Sequence, residues 1–217
     1  MAKIILSPSK LHLYLDCPRC FWLQEAKGVH RPAGIFPSLP GGMDAVLKKY
    51  YDQWRGTGEL PPEVRDKLEG GLVQDETLMK KWRNNRAGLR WHDEALGAEL
   101  MGALDDCLYD GSHYIPVDFK TRGWEVKENS HAFYQNQLDT YTLLLEKNGY
   151  PQRATAYLIY YSPKEVKPWG AVDFAVNPVR VATHPQNAEK VFRAAVELIR
   201  GPEPKSHSVC EWCSWAK

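Results

Sequence analysis

Two Cys-x-x-Cys pairs stand at opposite ends of this 217-residue chain, Cys17/Cys20 and Cys210/Cys213, and their spacing restricts the fold more than any other feature. If the four thiols share one centre, the two ends of the chain must meet, which excludes a small local zinc ribbon. It also closes a loop over residues 21–209, a large loss of freedom for the unfolded chain. Four thiolates fit either a structural Zn²⁺ or a 4Fe-4S cluster. The amino terminus, MAKIILSPSK, has only a three-residue apolar stretch, so no secretion signal is expected. Cysteines in that setting point to metal before disulfides, and the expected location is cytoplasmic. The fifth, Cys107, reads as a small buried hydrophobe, whereas Trp212 and Trp215 read as packing around the metal site.

A chain of this length suits one domain, expected over 1–217 with a mainly helical front (1–90), an α/β core (91–184) and a closing helix with its cysteines (185–217). No apolar run approaches the roughly 18 residues that cross a bilayer, so no membrane partner is expected. The formal net charge of +1 excludes a strongly basic nucleic-acid coat but leaves room for a local basic groove.

Periodicity places a first helix after Ser7 and Pro8, which Pro18 should end or kink. Gly28–Gly42 reads as a loop, Met43 to about Trp54 as a helix, and Pro61 to Gly70 as another short helix. From Leu89 to Thr121 a hairpin is expected, with AELMGALDDCLYD and YIPVDFKT joined through Asp110-Gly111. A long helix over His131–Lys147, strands at Ala154–Ser162 and Ala171–Val176, and a helix at Asn187–Arg200 complete the pattern. Together these describe an α/β fold with a central mixed β-sheet flanked by helices.

The chemistry concentrates in Val-Asp-Phe-Lys-Thr at 117–121. On a strand Asp118 and Lys120 share one face, and Val117 and Phe119 the other. The hairpin brings Asp105 toward Asp118, although strand phase alone leaves Asp106 as a rival. Two carboxylates and a few waters suit Mg²⁺. Gln137 and Tyr141, four apart, share one helix face.

Gly-x-x-Asp105, Asp118-x-Lys120-Thr and Gln137-x-x-x-Tyr141, in this order, resemble the PD-(D/E)XK nuclease superfamily and its RecB-like branch, which includes CRISPR-adaptation exonucleases and the RecB and AddB nuclease domains. The front segment SPSKLHLYLDCPRCFWL and the closing CxxC extend the resemblance over almost the whole chain. It implies a restriction-endonuclease-like core with Asp105 and Asp118 as Mg²⁺ or Mn²⁺ ligands, Lys120 as catalytic lysine, and Gln137 and Tyr141 as residues contacting substrate. It also implies a DNA substrate with single-stranded or free ends, partners in repair or CRISPR adaptation, and a 4Fe-4S cluster on Cys17, Cys20, Cys210 and Cys213, with Zn²⁺ as the alternative. Two departures stand out. The family's iron–sulfur members take one cysteine from the front and three from the back, whereas this chain has two and two. Asp44, in Gly41-Gly-Met-Asp44, stands where the family's metal-ligating His is expected; it could ligate metal or serve as a carboxylate near a helix N-terminus.

For nucleic acid, Arg122, Lys10 and Arg31 are the expected contacts, and Lys80–Arg90 is a second basic run interleaved with Trp82 and Trp91. A non-catalytic binding module with a nuclease-like fold, stapled by its metal, is the alternative reading.

Overall fold

A computed structural model describes residues 3–34 and 38–214; Trp215 lies outside the described residues. A short strand β1 (Ile4–Leu6) leads into α1 (Pro8–Asp16) and α2 (Pro18–Lys27). Each helix opens on a proline, where a missing N–H goes unused. Cys17 ends α1 and caps α2 in extended conformation, its sulfur accepting from the Cys20 N–H. Pro18 therefore ends the first helix, as the sequence implies, and starts a second.

Helix α3 (Ser38–Thr57) begins five residues before the expected Met43, taking Gly41 and Gly42 into its early turns. Leu47, Tyr51 and Arg55, four apart, form its buried stripe. The helix expected at 61–70 is instead a run of turns, in which the Val64 and Lys67 N–H groups reach back only three residues, to Pro61 and Val64. β2 (Gly71–Leu72) and α4 (Glu76–Trp82) follow; Asp75 caps α4 by accepting from the Leu78 N–H at 2.9 Å.

β3 (Leu89–Asp93), β4 (Ala98–Gly102), β5 (Asp106–Tyr109) and β6 (Tyr114–Thr121) come next. The single arm expected over 98–110 breaks after Gly102, so β4 and β5 enter different sheets. β1-β4-β3 is one sheet, while the other has the order β2-β5-β6-β7-β8, with β7 (Thr155–Val166) and β8 (Val172–Ala182). At Gly102, the last residue of β4, α5 packs closely: a Cβ there would stand 2.8 Å from Leu144 Cδ1 and 3.3 Å from the Tyr141 ring. The Asp110-Gly111 turn joins β5 to β6 as expected, pairing Tyr109 with Tyr114, with Gly111 at φ +97°.

A 3₁₀ turn (Ser130–Tyr134) leads into α5 (Gln135–Lys147), and α6 (Pro185–Arg200) closes the fold. β6 pairs antiparallel with β5 and parallel with β7, so the sheet is mixed, and the α/β architecture is that expected. One apolar core joins α1, α5 and α6 to both sheets through Leu11, Leu100, Leu138, Leu158 and Phe192. A second packs α3 on the opposite face of β6, with Tyr51 against Phe119. Val117 and Phe119 therefore face α3, while Asp118 and Lys120 face α5. No helix among the described residues is long and apolar enough to cross a membrane.

Candidate active site and thiolate clasp

β6 carries Asp118 and Lys120 beneath α5. Lys120 Nζ lies 2.5 Å from Asp118 Oδ2, a close ion contact without the alignment of a hydrogen bond. Asp105, just before β5, meets them from the neighbouring strand, its Oδ2 accepting from the Phe119 N–H at 3.0 Å. Burial first, then the adjacent Asp105 carboxylate, push the Asp118 pKa up to about 7, although Lys120 pulls the other way. Two acids held this close in a dry site need positive charge.

Gln137 ties the group together. Its Nε2 donates to Asp118 Oδ1 at 2.9 Å and to the Tyr141 hydroxyl at 2.7 Å, and its Oε1 accepts from Lys120 Nζ at 3.2 Å. The amide orientation follows from its partners, since a carboxylate requires the NH₂ end and an ammonium the carbonyl end. Tyr141 is buried, and that burial, followed by Asp118 and Asp105, raises its pKa and keeps it a phenol.

The ambiguity between Asp105 and Asp106 is resolved by their partners. Asp106 is wholly buried and clamped by Arg55, whose NH2 reaches both carboxylate oxygens at 2.7 Å, and by Arg83 at 2.7 Å. It is a structural ion cluster facing away from the site. Arg83 also donates from Nε to the Asp105 carbonyl at 2.7 Å, fixing the backbone that aims the Asp105 carboxylate.

Asp44 reaches this centre through Lys48, a residue the sequence reading passed over. Lys48 Nζ lies 2.7 Å from Asp44 Oδ2 and 2.7 Å from Asp105 Oδ1. Burial opposes the charge on Lys48, but Asp105 and Asp44 outweigh it and hold its pKa above the usual range. An ammonium bridging Asp44 and Asp105 stands where a cation would fit, and Asp118 adjoins Asp105, although as placed these three carboxylates do not converge as closely as the four cysteines do. The i, i+4 spacing of Asp44 and Lys48 on α3 was the available signal.

The expected basic contacts separate. Arg122, half-buried, lies against the Tyr134 and Tyr160 rings, 5.9 and 5.7 Å from their centroids, on the same strand end as Lys120. Lys10 is held by Glu25 at 2.7 Å and the Ile5 carbonyl at 2.9 Å. Arg31 is held by Asp16 at 2.7 Å and Cys210 Sγ at 3.4 Å, which makes it a neighbour of the thiols. In the second basic run, Trp82 is core, Arg83 serves Asp105 and Asp106, and Arg90 pairs with Glu99.

The four end cysteines do converge, with all four sulfurs within 4.8 Å of one another. Cys17 and Cys213 stand 3.4 Å apart, and Cys20 and Cys210 3.6 Å apart. The surrounding chain is fastened as well: Arg19 pairs with Glu203 at 2.8 Å and donates to the Cys213 carbonyl at 3.1 Å, and Trp22 Nε1 donates to the Gly201 carbonyl at 3.0 Å. Trp212 packs on the cluster, and Cys107 is fully buried in the main core. Burial pushes the Cys17 thiol up to about 12. Burial acts upward at Cys210 too, but hydrogen bonds from Cys17 and Cys20 outweigh it and bring that thiol down to about 7.

A family model described as the PD-(D/E)XK nuclease superfamily matches residues 5–217, from β1 through both cysteine pairs. The chain belongs to the PD-(D/E)XK nuclease superfamily. No curated protein matches the sequence.

Proposed function

We propose that this PD-(D/E)XK protein is a Mg²⁺- or Mn²⁺-dependent deoxyribonuclease of the RecB-like type, acting as an exonuclease on free or single-stranded DNA ends. The observation that carries this reading is the Gln137 amide, which joins Asp118 to Lys120 and so locks acid, lysine and accessory helix into one centre. Asp105 and Asp118, with Asp44 beside them, would hold the cation. When bound, it would supply Lewis acidity for water and for the phosphoryl oxygens.

The chain's own groups do the rest. Lys120 has three ammonium protons, and Asp118 and Gln137 hold it on two sides. The remaining direction serves to orient the attacking water or to stabilise charge growing on the phosphoryl group. Phe119 N–H and Arg83 fix Asp105, and Tyr141 props Gln137, so the constellation is arranged before substrate arrives. Water forms a new P–O bond as the old one breaks, leaving an alcohol and a phosphomonoester. The test is cleavage of end-labelled single-stranded DNA: turnover with Mg²⁺ or Mn²⁺ and none in EDTA is expected. Tight binding without turnover would instead favour the non-catalytic module.

For the thiolate clasp, four sulfurs within 4.8 Å of one another would hold a 4Fe-4S cluster, as the resemblance implies, or a single Zn²⁺ as the alternative. Metal analysis after anaerobic purification decides between them: stoichiometric iron with visible absorption is expected for the cluster, and one zinc per chain in a colourless protein would show the alternative.

A further inference from the structure

Gln137 lines two cavities at once, and this points to the path of the substrate. On one side lies a cleft of about 460 Å³ reaching Asn85, Met101 and Tyr141; on the other lies one of about 230 Å³ bounded by His12, Phe133 and Tyr134. Pro8 and Ser9 border both. The smaller cleft has an aromatic wall. Phe133 is 62 % exposed on the short 3₁₀ turn, with His12 edge-on at 4.7 Å and Tyr134 at 5.0 Å. What sets Phe133 apart from other exposed apolar side chains is its place in an aromatic wall beside a polar centre. Tyr134 continues the wall directly into the chemistry, with Lys120 Nζ 4.5 Å and Arg122 5.9 Å from its ring centroid.

We propose that the cleft between α1 and the 3₁₀ turn is a nucleobase subsite, in which Phe133 stacks on a base of single-stranded nucleic acid next to the phosphodiester held at Lys120. This rests on the phosphodiesterase reading above and adds where a base of its single-stranded substrate is held. Cations at Lys120 and Arg122 meet the backbone, while the aromatic wall meets the ring, a combination that suits a single strand. A base inside a duplex has both faces covered by its neighbours and none free for this wall. Phe133 is a specificity residue, for it touches no group at Asp118.

Anisotropy titrations in EDTA, with the full chain and labelled oligo-dT, oligo-U, a blunt duplex and an abasic strand of equal length, test the subsite. Phe133→Ala should weaken oligo-dT binding by about 5- to 100-fold, and Phe133→Trp should restore it. Binding of the abasic strand should be weak and the same for all three proteins. Oligo-U binding with the same Phe133 dependence extends the subsite to RNA. Equal oligo-dT binding by wild type and Phe133→Ala, or wild-type preference for the duplex, overturns the proposal. Melting curves confirm that the variants fold. Adding Mn²⁺ to the wild-type samples separates the two readings. Cleavage without a Phe133 effect refutes the subsite alone, and a Phe133 effect without cleavage refutes the nuclease alone. Absence of binding to every strand refutes the subsite outright.

Discussion

Lys48 Nζ stands 2.7 Å from Asp105 Oδ1 and bridges it to Asp44, so a side chain of α3 neutralises the carboxylate just before β5. A divalent cation held there, as proposed, would compete with Lys48 for the same oxygens. Lys48→Met should lower the metal-free melting temperature by about 2–6 °C. It should also enlarge the rise in melting temperature produced by Mn²⁺. Thermal melts with and without Mn²⁺ check both; an unchanged Mn²⁺ response would mean that Lys48 does not occupy the cation's place.

Asp106 depends on Arg55, which is itself 1 % exposed and also donates to the Val73 carbonyl. Removing one partner of a buried pair strands the other charge. Arg55→Met should cost about 3 kcal/mol in urea unfolding, softened by the remaining Arg83 contact. A loss below about 1 kcal/mol would mean that Arg83 alone satisfies Asp106.

Gly102→Ala places a methyl against Leu144 and the Tyr141 ring. Leu144 Cδ1 can turn aside, but Tyr141 is fixed through Gln137 to Asp118. Stability should fall by about 1–3 kcal/mol, and kcat by roughly tenfold or more, since small displacements near reacting groups are expensive. Urea unfolding and single-turnover cleavage separate the two effects.

Metal binding should weaken in acid because of Asp118. Its folded pKa is raised to about 7 from 3.8. Without metal the folded state holds this proton more tightly than the unfolded state does. The resulting stabilisation is complete below about pH 4 and is lost as pH rises through 7. A divalent cation must displace the proton, so the Mn²⁺-induced rise in melting temperature should be larger at pH 8 than at pH 5. Equal shifts at both would contradict a raised Asp118.

Much of the centre was legible in the sequence, because the period of a strand puts Asp118 with Lys120 and that of a helix puts Gln137 with Tyr141. The Asp110-Gly111 turn announced the hairpin. The choice of Asp105 over Asp106 was not legible. It depends on Arg55 and Arg83, 51 and 23 residues away from Asp106, and no local pattern encodes that pairing. The helix expected after Pro61 failed because Leu60, Val64 and Leu68 have helical spacing, yet their burial under α3 is met by successive turns. Asp75 and Glu76 carry the start signal of α4, whose last turn falls within the basic run. The meeting of the chain ends was legible from the CxxC pairs alone; their sulfur spacing was not.

The central claim is that Asp118 holds the metal while Lys120 acts on the water or phosphate, and one paired measurement on wild type, Asp118→Asn and Lys120→Met tests it. Mn²⁺ affinity by calorimetry and cleavage of end-labelled single-stranded DNA are read on the same preparations. Lys120→Met should bind Mn²⁺ with near wild-type affinity and lose cleavage by at least about a hundredfold, whereas Asp118→Asn should lose both. Cleavage retained in both variants would contradict the assignment of this centre.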